Sequence, residues 1–194
     1  MDIRKIIIML ILYSVIGWIS EMIYCYIYDK SFTNRGFLCG PLCPIYGFGS
    51  LFIVFLLSKF KYNPLLIFIL GMIGCTIIEY ITSYLMEKLF DSKWWDYSNY
   101  KYNIKGRICL LNSLIFGIGS IIIIYIIQPM VDMFINQLSE IDLLVLSISF
   151  GVYFIIDYFL SFYMSFKYRL VKNKINKKED EILLINYFKN KKIY

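Results

Sequence analysis

Five stretches of this chain are apolar almost throughout, at about residues 6–28, 41–58, 64–88, 108–127 and 143–166, each near the ~20 residues a helix needs to cross a ~30 Å hydrocarbon core. This limits the fold more than any other feature. Backbone in lipid must satisfy its own N–H and C=O groups, and with runs of this length only helices do so. The expected fold is therefore all-α, a polytopic transmembrane helical bundle of about five spans. The second run is the shortest and holds Gly47 and Gly49. It reads either as a full crossing or as a broken, re-entrant segment, because irregular backbone at depth must be covered by protein or water. Pro64 is placed to open the third span and Pro129 to close the fourth.

Charge supplies the orientation. Sixteen of the 20 Lys and Arg fall in the connections after the first and third spans and in the tail after Phe166. The positive-inside rule then puts the C-terminus in the cytoplasm and, with five spans, the N-terminus outside a cell membrane. The net charge of +6 is thus explained by topology, and nucleic acid is not an expected partner. The run after Met1–Lys5 is long and lacks a small-residue cleavage site, so no cleavable signal peptide is expected. Residues 1–166 form the predicted bundle and 167–194 a basic tail. Ile182, Leu183, Leu184, Ile185, Tyr187 and Phe188 give the tail an amphipathic patch. It reads either as a helix on the anionic inner leaflet or as a solvated segment that only fixes topology. Five cysteines without a histidine, Cys39 and Cys43 forming a lone Cys-x3-Cys pair, predict neither a disulfide framework nor a metal site. No cofactor is expected.

The first ~125 residues contain a weak internal repeat. A shift of 58 places Ile19, Glu21, Ile23, Tyr26 and Lys30 on Ile77, Glu79, Ile81, Tyr84 and Lys88. A shift of 70 places Gly36, Cys39, Gly47, Gly49 and Ser50 on Gly106, Cys109, Gly117, Gly119 and Ser120, and Arg35 on Lys105. The difference is a 12-residue insertion in the second copy around Asp91–Tyr102. The copies span about 10–58 and 68–127, and the fifth span, about 143–166, stands outside them. Each copy has an even number of spans, so two parallel two-helix repeats are expected, of the kind that place transporter sites at the repeat interface.

Glu21, Glu79 and Asp157 lie inside predicted spans, at a shared depth of roughly 10–15 Å from the cytoplasmic helix ends. A charge there is costly, so each is a candidate for binding a solute or coupling to a proton or ion. The bland alternative is assembly alone, through pairing with Arg35, Lys105 or Arg107. Asn34 and Arg35, in a connection rich in Gly and Pro, suit contact to a carboxylate or phosphate. Asn112 is a polar candidate within the fourth span. Gly47, Gly49, Gly117 and Gly119 read as close-packing positions. The aromatic insertion Lys93-Trp94-Trp95-Asp96-Tyr97-Ser98 reads first as an interfacial anchor and second as a ligand grip. No nucleophile–base pair or phosphate loop is evident.

The run Ser14-Val15-Ile16-Gly17-Trp18-Ile19-Ser20-Glu21, then Asn34-Arg35-Gly36-Phe37-Leu38 with Gly40-Pro41, then Cys43-Pro44-Ile45-Tyr46-Gly47-Phe48-Gly49, resembles the CmpB-like family of ABC-transporter type IV permeases. Trp95-Asp96-Tyr97-Ser98 followed by Asn103-Ile104-Lys105-Gly106-Arg107-Ile108 resembles it as well. The resemblance covers about residues 10–125. It implies a small bacterial membrane protein acting as a transporter permease, working with a separate ATP-binding subunit. The residues leave three functions open: a transporter or transporter subunit for a small or lipid-like solute, a non-catalytic membrane scaffold or regulator, and an inner-leaflet enzyme acting on lipid or envelope precursors. A lipid bilayer is the surrounding partner in all three, and a homodimer is a further expectation for so small a bundle.

Overall fold

The computed structural model describes residues 2–30 and 36–174. Five helices dominate it: α1 (Ile3–Asp29), α2 (Pro44–Phe60), α3 (Pro64–Phe90), α4 (Leu110–Gln137) and α5 (Glu140–Lys174). A two-residue antiparallel pair, β1 (Asn103–Ile104) and β2 (Ile108–Cys109), lies between α3 and α4. Four helices, α1, α3, α4 and α5, are long and apolar enough to cross a membrane, while α2 is a shorter apolar helix. The architecture is a helical bundle of about five helices.

Local chemistry sets the ends. Asp2 caps α1 by accepting from Arg4 N at 2.9 Å. Asn63 caps α3 by accepting from Leu66 N at 3.1 Å, with Pro64 at the first helical position. Lys30 and Asp91 end α1 and α3 in the left-handed conformation. Ser139 and Asp142 form a reciprocal capping box at the start of α5: Asp142 N donates to Ser139 Oγ at 3.2 Å, and Ser139 N donates to Asp142 Oδ2 at 3.2 Å.

Pro129 does not close the fourth span as expected. A π-helical turn, Ile123–Ile127, directly precedes it, and the helix continues to Gln137. Proline removes one N–H and crowds the carbonyl four residues back. A wider turn at that point absorbs both effects. A second π-turn occupies Ile53–Leu57 in α2, 70 positions earlier.

The short helix α2 begins deep in the bundle. Cys43 N donates to Ser14 O at 3.0 Å. At 1.5 Å per residue, Ser14 lies about 22 Å from the C-terminal end of α1. The segment before α2 therefore folds inward, with Leu38 and Leu42 buried against Ile11, Val15, Phe150 and Phe154. The start of α4 is similarly deep, since Ser113 accepts from Thr76 Oγ1 at 2.8 Å and Thr76 lies about 21 Å before the end of α3.

Small residues permit the close approach of α1 to α2 and of α3 to α4. A Cβ at Gly47 would strike Leu10 and Ser14, one at Gly117 would strike Phe68, and one at Gly71 would strike Ser120. Gly49 and Gly119 differ from the sequence expectation: a Cβ at either would meet nothing within 4 Å, so neither is a packing position. The helix α5 lies across both pairs. At one end Glu140 pairs with Arg4 at 2.8 Å. At the other Arg169 Nη1 and Lys172 Nζ donate to the carbonyls of Leu89 and Asp91 at 2.9 and 2.8 Å.

Candidate functional site

The connections that dip into the bundle bring polar groups to depth, and they bring two kinds of carboxylate environment with them. Asp157, on α5, is 5% exposed. Its Oδ1 accepts from Cys39 N at 3.0 Å and Ser161 Oγ at 3.2 Å, and its Oδ2 accepts from Gly40 N at 2.9 Å. Both backbone amides belong to the connection before α2. Asp157 therefore takes the place of a secondary-structure partner for the irregular backbone of that connection. Neither Lys105 nor Arg107, two of the cations expected from sequence as its partners, pairs with it. The space beside Gly40 is closed by Asp157 and Tyr153.

Glu21 and Glu79 are arranged differently. Glu21 Oε1 accepts from Tyr46 Oη at 2.6 Å. Tyr46 stands two residues into α2, over Gly17, whose lack of a side chain leaves room for the ring. Glu79, on α3, is 5% exposed, and its Oε1 accepts from Tyr97 Oη at 3.1 Å. Its buried Oε2 makes no aligned hydrogen bond to the described residues, although the Asn112 carboxamide of α4 lies beside the carboxyl. The two carboxyls are within electrostatic reach of one another. Tyr97 senses both. Burial foremost, then the Glu79 charge and its hydrogen bond, then the Glu21 charge, hold its phenol above the ordinary range. Tyr97 is therefore a proton donor to Glu79, not a phenolate. Two carboxyls, two phenols and one amide from α1, α2, α3, α4 and the α3–α4 connection thus gather at one depth.

The connection that carries Tyr97 is firmly built. Tyr97 N donates to Gly106 O at 2.8 Å, and Trp95 Nε1 donates to Arg107 O at 2.9 Å. Gly106 has φ +68, and a Cβ there would strike Asp96 and Ser98. Asp96 accepts from Ser98 N at 2.9 Å and from the Ser98 hydroxyl, which holds its carboxyl below the usual range. Trp94 packs edge-on against Phe37 and Phe90, with centroids 5.9 and 5.4 Å away. The aromatic insertion thus braces the bundle and delivers Tyr97.

The remaining candidates separate from this cluster. Arg107 Nη1 lies 2.6 Å from Glu87 Oε2, and its guanidinium sits over Tyr84 and Tyr80 at 5.4 and 5.9 Å, so it serves an ion pair on α3 and does not reach Glu79. Lys105 is exposed in the β1–β2 turn with φ 54. Asn34 and Arg35 lie outside the described residues, as does the tail beyond residue 174. Sequence reasoning did not single out Tyr46 or Tyr97 as partners of the acids. Both stand within the motif blocks that carried the family resemblance, which was the available signal. At the repeat offset, Tyr46 corresponds to Phe116, so Glu79 draws its tyrosine from the insertion instead.

No curated protein and no solved structure matches the chain. A family model does match, over residues 8–162, which include both acid–tyrosine pairs and Asp157. The match spans well over half of the chain, and the protein belongs to the family described as "Putative ABC-transporter type IV".

Proposed function

We propose that this protein is the membrane-embedded subunit of a transporter for a small or lipid-like solute, with the cluster of Glu21, Glu79, Tyr46, Tyr97 and Asn112 as its solute-handling or coupling site. The observation that carries this reading is Glu79: a carboxyl 5% exposed within a membrane-spanning helix, with one oxygen lacking an aligned hydrogen bond. Buried ionisable groups with a purely structural role are satisfied on all sides, as Asp157 is. A group left half-satisfied at depth fits a function better than assembly.

The repeat supports the same reading. The sequence offset of 70 recurs in the two π-turns, and the paired carboxyls come one from each copy. Sites at the interface of two related halves are a recurring transporter design. In this reading the face carrying the α1–α2 and α3–α4 connections and the C-terminal end of α5 is cytoplasmic, as the Lys and Arg distribution implies. An ATP-binding subunit would dock on that face.

Capture of the tagged protein from native membranes in mild detergent tests the assignment. A stoichiometric ATP-binding subunit is expected, and Glu21→Gln with Glu79→Gln should abolish solute-dependent activity while leaving that complex intact. Recovery of the protein alone or only with itself overturns the transporter reading.

A further inference from the structure

The second helices of the two related pairs end differently. In the first copy, α2 stops at Phe60, three residues after its π-turn. Its counterpart α4 passes its own π-turn and continues for ten residues, Gln128–Gln137. This arm has no equivalent in the first copy. It lies against the first half of α1, at the end of the bundle away from the α1–α2 and α3–α4 connections, where Lys5 Nζ donates to Asn136 Oδ1 at 3.4 Å.

The arm, α1, α2 and α5 meet there in a cluster of buried apolar side chains: Met9 from α1, Leu51 and Val54 from α2, Val131 and Ile135 from the arm, and Leu143 from α5. Tyr13, 2% exposed, belongs to it. Tyr13, Gly17 and Glu21 follow at intervals of four and share one stripe of α1. Tyr13 thus stands about 12 Å from Glu21 along the helix, on the face that leads to the acids. The apolar cluster closes that end of the bundle beyond Glu21.

One polar bond crosses it. Tyr13 Oη donates to Gln128 Oε1, and Gln128 Nε2 donates to Asp132 Oδ1 at 2.8 Å, which turns the carboxamide oxygen toward Tyr13. Apolar side chains of similar size would fill this space without placing polar groups at depth, where they are costly. A bond between a phenol and a carboxamide has a property that packing lacks. It contributes little net free energy, because both groups bond to water when parted, so it fastens two helices reversibly. Gln128 directly follows the π-turn Ile123–Ile127 and precedes Pro129, so the arm joins the rest of α4 where the helical bonding is least regular. A fastening and a hinge therefore occupy adjacent positions on one helix.

We propose that Gln128–Gln137 is a gate at the end of the bundle where α1 begins, turning about the π-turn and held shut on α1 by the Tyr13–Gln128 hydrogen bond. Its opening admits water and solute to the Glu21–Glu79 cluster from that side. This rests on the transporter reading of the cluster and adds the control of access to it.

Cys43 and Cys75 are native reporters of such opening. Cys43 N bonds to Ser14 O, beside Tyr13, and Cys75 packs against Ile53, Leu57, Ile67 and Ile124 one turn before Glu79. The full chain in sealed membrane vesicles of each orientation is treated with a membrane-impermeant maleimide, and each cysteine is read by peptide mass. Tyr13→Phe should speed labelling of both from the face where α1 begins by about 5-fold, the change that one lost net hydrogen bond makes in an equilibrium. Labelling from the opposite face should not change. Gln128→Leu removes the same bond and keeps the apolar cluster, so it decides the matter if Tyr13→Phe fails to insert. Unchanged labelling in the variants overturns the proposal, and so does an equal rise from both faces, which a general loosening of the bundle would give. Gated labelling without an ATP-binding partner would keep the moving arm and remove the transporter reading. The partner and solute-dependent activity with unchanged labelling would do the reverse.

Discussion

Asp157 and Glu79 are equally buried, at 5% exposure, and are surrounded in opposite ways. Asp157 receives two backbone amides and a serine hydroxyl, using both of its oxygens. Glu79 receives one phenol on one oxygen. The first replaces a missing stretch of secondary structure, and its backbone partners lie 117 to 118 residues away in the chain. The second is held by side chains alone, the Tyr97 phenol on Oε1 and the Asn112 carboxamide beside the carboxyl. Burial alone thus does not mark a functional acid in a membrane. An acid whose lone pairs are all taken by the fold can neither take up nor release anything without breaking it, which is why the proposed role falls on Glu79 and not on Asp157.

Several substitutions would break or sharpen this contrast. The largest effect is expected from Asp157→Ala, which leaves the Gly40 amide without its acceptor and Cys39 N with only Ser161 Oγ at 2.9 Å. At about 1–3 kcal/mol for one orphaned amide, with the weakened Cys39 and Ser161 contacts besides, the loss should be about 2–3 kcal/mol, read as lower thermal stability in detergent and easier proteolysis before α2. Asp157→Asn keeps one acceptor oxygen and should cost less, about 1–2 kcal/mol in the same assay. Tyr97→Phe removes one hydrogen bond to Glu79 and should cost about 1 kcal/mol, with Trp95 fluorescence reporting any loosening of the connection. Glu79→Gln should change stability least, by under about 1 kcal/mol, because the amide matches the shape of the acid and leaves no unpaired charge. Its loss should appear in solute-dependent activity instead. If Glu79→Gln proved as damaging to stability as Asp157→Ala, the distinction between the two acids would fail.

The glycines offer an independent check on the packing. Gly47→Ala would push a methyl group into Leu10 and Ser14, whereas Gly49→Ala would enter open space. The first should destabilise by about 1–3 kcal/mol, and the second should be neutral or slightly stabilising as a helix former replaces glycine.

Much of the fold was legible in the sequence. Apolar runs of bilayer length, the Pro64 start of α3 and the Gly-Pro-rich connection before α2 are local signals, and each lies where the structure has a helix or a break. The end of α4 was misread because the π-turn that accommodates Pro129 leaves no distinct mark among isoleucines. The identical Gly-x-Gly pairs were misread in part because spacing does not say which glycine faces a neighbour. Of the candidate site, the two glutamates and Asn112 were evident from the cost of placing polar groups in lipid, while Tyr46 and Tyr97 were hidden among 18 tyrosines.

The sequence by itself determined that this is a helical membrane bundle, where its helices run and which acids sit inside it, because hydrophobic length and charge placement are properties of each segment alone. Only the tertiary structure decided that Asp157 is consumed by backbone, that Arg107 belongs to Glu87, and that Glu21 and Glu79 share a cluster with two tyrosines. Those outcomes depend on connections that fold inward and meet side chains distant in the chain, and contacts of that kind have no local signature.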